Sequence, residues 1–261
     1  MNPGRNIKLV LGFDGTAYHG WQIQKSRPTV QAELAQAIRK ITGEECHPVG
    51  CGRTDAGTHA RRYVANFFTA ATIPAPNLKR ALNSLLPRDI RIFSAGEAPA
   101  DFHARHSARS KIYRYQIYRG PVMPPHMARE HFHYLQPVNW DLMQQAAARF
   151  VGAHDFASFA ARSAGLENTV RRIFSCRLHR DGHRLIFTVE GSGFLHHLVR
   201  NMVGTLLDVG RKHISMEEFE ALFTVRDRTR AGFTAPAHGL ILLRVQYGGN
   251  PSRAAGAPRD A

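Results

Sequence analysis

From residue 50 to residue 59 the chain reads Gly-Cys-Gly-Arg-Thr-Asp-Ala-Gly-Thr-His, an Arg-x-Asp unit bracketed by glycines. Glycine permits tight backbone and close approach of a ligand, so this stretch predicts a loop that presents the Asp55 carboxylate. Asp beside Gly is also ordinary turn chemistry, and by composition alone that is the commoner meaning. Arg53 alters the balance. A guanidinium close to the carboxylate would hold it ionised, and an ionised carboxylate serves as nucleophile or general base rather than general acid. The i, i+2 spacing leaves open whether the two side chains meet.

Other residue types narrow the chemistry. Tyr113 and Tyr115 fall on one face of an extended basic segment, where a ring can stack on a nucleobase or simply pack in a core. Arg200 groups with His197, Asn201 and Gly204, off the apolar stripe of its helix. It is either a solvated arginine or a partner for Asp55. The 15 histidines include the pairs His103/His106, His131/His133 and His196/His197, but their spacings assemble no ligand set, and no metal is assigned. Cys46, His47 and Cys51 hint at zinc, yet the C-x4-C spacing is loose and no second ligand pair follows. Cys176 completes an odd set of three cysteines, which argues against a disulfide framework. Ser110 and Ser192 have no positioned base nearby that would make a nucleophilic triad.

Charge points to the partner. The sequence carries 35 Lys and Arg against 20 Asp and Glu, a net +15. Such a field draws in a polyanion, and each phosphate neutralised steepens the salt dependence of binding by roughly 0.7 to 0.9 log units. From Phe102 to Arg119 the cations Arg105, Arg109, Lys111, Arg114 and Arg119 stand with no acid between them, which reads as one basic patch. Arg105, Arg109, Lys111 and Arg114 are therefore candidates for phosphate contact. No apolar run approaches the roughly 20 residues that cross a membrane, and the start of the chain lacks the apolar stretch of a secretion signal. A soluble cytoplasmic protein is expected.

The elements that must position these residues follow from periodicity. Ile7, Leu9, Leu11 and Phe13 alternate as a strand; Val30, Leu34, Ile38 and Ile41 recur at helical spacing between Thr29 as cap and Gly43 as stop. Strands near 46–51 and 62–69, a helix near 77–86 and a strand near 89–95 complete a βαββαβ order. The second half repeats it: a strand near 109–119, a helix near 139–151, strands near 170–179 and 184–190, then a helix and a last strand at 239–245. In that helix Leu195, Leu198, Val199, Met202, Val203, Leu206 and Leu207 form the stripe, and Met216, Phe219, Leu222 and Phe223 suggest one more short helix. The fold class is α+β: two ferredoxin-like βαββαβ halves, their antiparallel sheets flanked by helices, with the active-site cleft between them. Residues 1–105 form the half with the Asp loop, 106–247 the half that completes the pocket, and 248–261 a disordered tail rich in Gly, Pro, Ala and Arg.

At GRTDAGTHA the sequence resembles the TruA-type tRNA pseudouridine synthases. The resemblance runs through FDGTAYHGWQIQ, TVQAELAQAI, ALNSLLPRDI, FHARHSARSKIYRYQIY, GAHDFASF, FLHHLVRNMVGTLLDVG and GLILLRVQY. It implies that Asp55 is the essential aspartate with Arg53 as its charged partner, and that Tyr113, Arg200 and Leu240 line a uridine pocket. It further implies isomerisation of uridine to pseudouridine at positions 38, 39 and 40 of the tRNA anticodon stem-loop, by a homodimer without metal or organic cofactor. Two departures are mild: Thr58 stands where the family usually has Val, and His106 where it often has Phe. Two rivals remain: an RNA-binding protein without catalysis, which the charge and the strand tyrosines equally permit, and a metal-dependent nuclease, which would want several clustered carboxylates.

Overall fold

The computed structural model describes residues 4–161 and 168–248; the tail read as disordered falls, from residue 249 onward, outside them. The first half runs β1 (Arg5–Phe13), α1 (Val30–Thr42), β2 (Val49–Gly50), β3 (His59–Thr69), α2 (Ala75–Leu85) and β4 (Ile90–Ala98). The second runs β5 (Ser110–Tyr118), β6 (Phe132–His133), α3 (Trp140–Arg149), β7 (Gly152–Asp155), β8 (Val170–Asp181), β9 (Arg184–Gly191), α4 (Leu198–Gly210), α5 (Met216–Val225) and β10 (Leu240–Gln246). Residues 5–98 follow the expected βαββαβ order, and residues 110–246 carry the expected elements with two further short strands, β6 and β7, too brief for a periodic signal.

Local chemistry sets the ends. The Thr29 hydroxyl accepts the Ala32 amide to cap α1, and Gly43, left-handed at φ 76°, returns its N–H to Arg39. Ser215 and Glu218 form a reciprocal capping box on α5. The apolar stripe of α4 is fully used: Leu198, Met202, Leu206 and Leu207 are at most 1% exposed, each worth roughly 1.5 to 3 kcal/mol on burial. The stripe's first member, Leu195, is buried too, but the helix begins three residues later, because His197 adopts a left-handed conformation (φ 60°) and forms a turn before it.

Within the first half the sheet order is β4-β1-β3 with β2 on β3, all antiparallel. Within the second it is β10-β5-β9-β8, again antiparallel. The expectation of separate sheets needs one correction. Among the described residues they are joined into a single mixed sheet, because β10 lies parallel to β3, Ile241 opposite His59 and Leu242 opposite Ala60. This junction removes two sheet edges that would otherwise expose unpaired backbone groups. It also brings the loop after β2 next to the second half.

Alternation along β5 decides what its cations can do. Tyr113 and Tyr115 share the face that carries the core, Tyr115 fully buried and Tyr113 8% exposed. Arg114 points to the opposite face, since successive strand side chains alternate. The basic run 102–119 is thus split between faces and is not one patch.

Candidate active site

The loop bearing Asp55 is held by the segment that follows β1. Trp21 donates its amide to the Thr54 carbonyl, and Gly57 donates to Tyr18. A β-carbon at Gly20, whose φ is +82°, would lie 2.1 Å from Thr54 O, and one at Gly15 would lie 2.1 Å from Thr58 O. The two glycines of FDGTAYHGW are therefore what lets this segment wrap the loop closely. Tyr63 of β3 stacks on Trp21 at 4.4 Å and donates its hydroxyl to Gly52 O, fixing the other side.

Arg200 comes from α4 in the second half. Its Nη1 lies 2.8 Å from Asp55 Oδ2, and its Nε donates to Ala235 O at 2.7 Å. The Ala235 amide in turn donates to Arg200 O. The segment 228–235 thus braces the arginine from behind. Arg228 ties it down further, donating to Ala231 O, Gly232 O, Asn201 Oδ1 and Thr234 Oγ1. The side chains of Arg200 and Asp55 are only 14% and 18% exposed, so their attraction is less screened than that of a surface pair. Of the two accounts of Arg200 left open by the sequence, pairing with Asp55 is what the structure contains.

Two histidines complete the cluster. His196 Nε2 and His197 Nε2 each lie 3.5 Å from an Asp55 oxygen, the first from Oδ1 and the second from Oδ2. Their rings sit 3.8 Å apart. Burial pushes the His197 imidazole below its usual value, against the pull of Asp55 and with Arg200 adding to the depression. A left-handed backbone costs a non-glycine residue roughly 1 to 2 kcal/mol, and at His197 that strain delivers the ring to the carboxylate. By spacing alone these two histidines read as RNA phosphate contacts or core packing rather than as partners of Asp55; their adjacency to Arg200 within FLHHLVR was the one available signal.

Asp55, His196 and His197 offer ligand atoms within 4.8 Å of one another, a spacing that a metal could bridge. Arg200 already occupies Oδ2, and its charge opposes a dication at the same oxygens. The set fits an ion-paired carboxylate better than a metal centre.

Arg53 does not fill the place expected of it. Asp55 pairs with Arg200, His196 and His197, and among the described residues no ion pair joins it to Arg53, whose side chain is exposed. Arg53 instead lines a different concavity, together with Trp21 and Arg105.

Tyr113 packs edge-on against Phe194 at 5.0 Å, close enough to Asp55 that the carboxylate, after burial itself, opposes ionisation of its hydroxyl. Tyr115 is structural: its hydroxyl donates to Pro236 O. Leu240 opens β10 opposite Tyr115 and is 6% exposed. Arg105 and Arg109 are exposed, while Lys111 lies against Gly52, where a β-carbon would be 3.1 Å from its Nζ, and burial lowers its pKa. Cys51 is wholly buried, its thiol pushed up to about 11, and belongs to the core. Among the described residues no helix is long and apolar enough to cross a membrane.

Comparison with known proteins adds a family. The model described as tRNA pseudouridine synthase matches residues 10–107 and 146–248. A relative named tRNA pseudouridine synthase A from Moorella thermoacetica is 44% identical over 243 residues, covering 92% of this chain and 99% of its own. Its namesake from Pelobacter propionicus is 44% identical over 243 residues, covering 93% and 100%. One solved structure, of a Cbf5-Nop10-Gar1 complex, aligns with 90% of this chain and 48% of its own at 14% identity and a TM-score of 0.39, a likeness too slight to build on. Asp55, Tyr113, Arg200 and Leu240 do not all fall in the matched segments: Tyr113 lies in the interval between the two.

Proposed function

The chain belongs to the tRNA pseudouridine synthase family, and is thereby an isomerase; from that premise we propose that it converts uridine to pseudouridine at positions 38, 39 and 40 of the tRNA anticodon stem-loop, with Asp55 as the catalytic carboxylate. The observation that carries the assignment to Asp55 is its 2.8 Å ion pair with Arg200, made across the two halves of the fold.

The reaction breaks the N1–C1′ bond, turns the base while it stays bound and joins C5 to C1′; the proton leaves C5 and N1 gains one. Nothing external is consumed, so the isomerisation needs no stoichiometric co-reactant. The target uridine is first flipped from its stack, which costs a few kcal/mol that contacts along the basic surface offset. Asp55, kept anionic and oriented by Arg200, then acts as nucleophile or base on the flipped nucleoside. Tyr113 and Leu240 bound the pocket for the base, with the Tyr113 hydroxyl held protonated as a donor. Arg53, Arg105, Arg109, Lys111 and Arg114 are assigned to the RNA, Arg53 on account of its turn away from the carboxylate.

We read residues 1–105 and 106–247 as two ferredoxin-like halves with the cleft between them. The shared strand order supports this, each half placing its fourth strand beside its first and its third beside that. A cytoplasmic homodimer is the expected working form, which sedimentation tests.

The deciding experiment maps pseudouridine on unmodified tRNA transcripts incubated with wild type and with Asp55→Asn, in EDTA and without added cofactor. Modification in the anticodon stem-loop by the wild type alone is expected. Equal modification by Asp55→Asn would remove Asp55 from the chemistry. Tight tRNA binding without modification by either protein would make this a binding module.

A further inference from the structure

Beside the Asp55 loop lies a concavity of about 230 Å³ whose walls include Arg53, His103, Arg105 and His106, with no Asp or Glu in its lining. We infer that this concavity is a second subsite, which grips one of the two RNA phosphates flanking the target uridine. The inference rests on the reading of the chain as a tRNA-modifying enzyme and extends it to residues outside the Asp55–Arg200 cluster.

The walls are built rather than incidental. On one side, residues 103–107 form a tight turn: Ser107 donates its amide to His103 O, and its hydroxyl accepts the His103 amide. The turn is anchored at Ala104, whose amide donates to Asn66 Oδ1 and whose carbonyl accepts the Tyr247 hydroxyl. Asn66 is 2% exposed and sits on β3, so the turn is fixed to the sheet. On the other side, Gly52 and Arg53 are fixed to the same strand through Tyr63. A pocket with both walls pinned to one strand binds without first paying the entropy of ordering them.

The polar groups suit an anion. His103 Nδ1 accepts the amides of Arg105 and His106, both at 3.2 Å, so the ring proton sits on Nε2 and the neutral imidazole is a donor. The His106 ring lies 4.3 Å from that of His103. Arg53 and Arg105 add exposed guanidinium groups, the side chain best matched to phosphate oxygens. Lys111 reaches the back of Gly52 and adds positive charge from behind.

Position limits the choice to the two phosphates that flank the target. Arg53 and Asp55 lie two positions apart, with Thr54 between them, so at most roughly 7 Å of backbone separates their Cα atoms. With the target uridine at Asp55, the phosphates within reach of Arg53 are the two that flank that uridine. This also accounts for the arginine that turns away from the carboxylate: its charge serves the neighbouring phosphate.

The test measures tRNA affinity against salt for wild type and for Arg105→Gln/His106→Gln, both substitutions at exposed positions. Each protein is then given stem-loops with a neutral methylphosphonate at either phosphate flanking the target. The double variant is expected to bind about tenfold more weakly at low salt, with a salt slope shallower by about 0.7 to 0.9. One of the two methylphosphonates should cost the wild type a similar factor and the variant less than about twofold, the signature of a shared contact. Equal methylphosphonate penalties in both proteins, or an unchanged slope, would overturn the subsite. Pseudouridine formation by the wild type is scored on the same unmodified stem-loop. Its absence would overturn the enzymatic reading instead, so the two failures are distinguishable.

Discussion

Arg200 Nη1 stands 2.8 Å from Asp55 Oδ2 although 145 residues separate them, and the same guanidinium holds Ala235 O through its Nε. One planar fork thus joins the Asp55 loop to the 228–235 brace segment. Lysine has the charge but not the fork. Arg200→Lys should therefore lower the single-turnover rate about a hundredfold, with Asp55→Asn falling at least about a thousandfold. Rates within threefold of wild type for Arg200→Lys would mean that charge alone is needed.

The brace gives a second prediction. A β-carbon on Gly204 would lie 1.7 Å from Phe233 O, whereas one on Gly96 meets nothing within 4 Å. Alanine is favoured over glycine in a helix by roughly 1 kcal/mol, but a backbone clash of this size has no flexible side chain to absorb it. Gly204→Ala should lose about 1 to 3 kcal/mol net and displace Ala235, and so Arg200, cutting activity as well. Gly96→Ala should stay within about 0.5 kcal/mol. Calorimetry and the isomerisation assay check both, and an unchanged Tm for Gly204→Ala would refute the close-packing argument.

Thr58 is 1% exposed and its hydroxyl has no hydrogen-bond partner among the described residues. Valine is nearly the same shape without the buried polar atom. Thr58→Val should stabilise the protein by about 1 kcal/mol, raising Tm by roughly 2 to 4 °C. A fall in Tm would show that the hydroxyl is satisfied in solution.

Burial lowers the imidazole pKa of His103, His131, His197 and His238. A folded-state value below the unfolded one, near 6.5, means the unfolded chain binds more protons as pH falls. Stability is therefore full above about pH 6.5 and is lost as pH drops below it. In matched ionic strength, Tm at pH 5.5 should lie below Tm at pH 7.5. Constant or rising Tm across this window would contradict the burial of these rings.

Much of the chain was legible before folding because its signals are local. Alternation gave β1 and β5, capping residues gave the ends of α1, and the apolar stripe gave α4, even though His197 delays that helix's start to Leu198. The glycine-bracketed Asp55 and the excess of basic residues pointed to a carboxylate working on a polyanion. The concavity at His103 and His106 was not visible, because it exists only where Asn66 and Tyr63 pin two separate loops to β3.

By itself, then, the sequence determined the order of elements, the family and the loop that presents Asp55, since each is written in residues near one another along the chain. Tertiary structure alone decided the partner. Arg53, two residues away, diverges, and Arg200, remote in sequence, arrives. Side-chain direction depends on how α4 packs and on the parallel joining of β3 to β10, which are contacts between distant segments that no local spacing encodes. Strand parity acts in the same way on the basic run, sending Arg114 to the face opposite Tyr113 and leaving the cations as separate contacts rather than one patch.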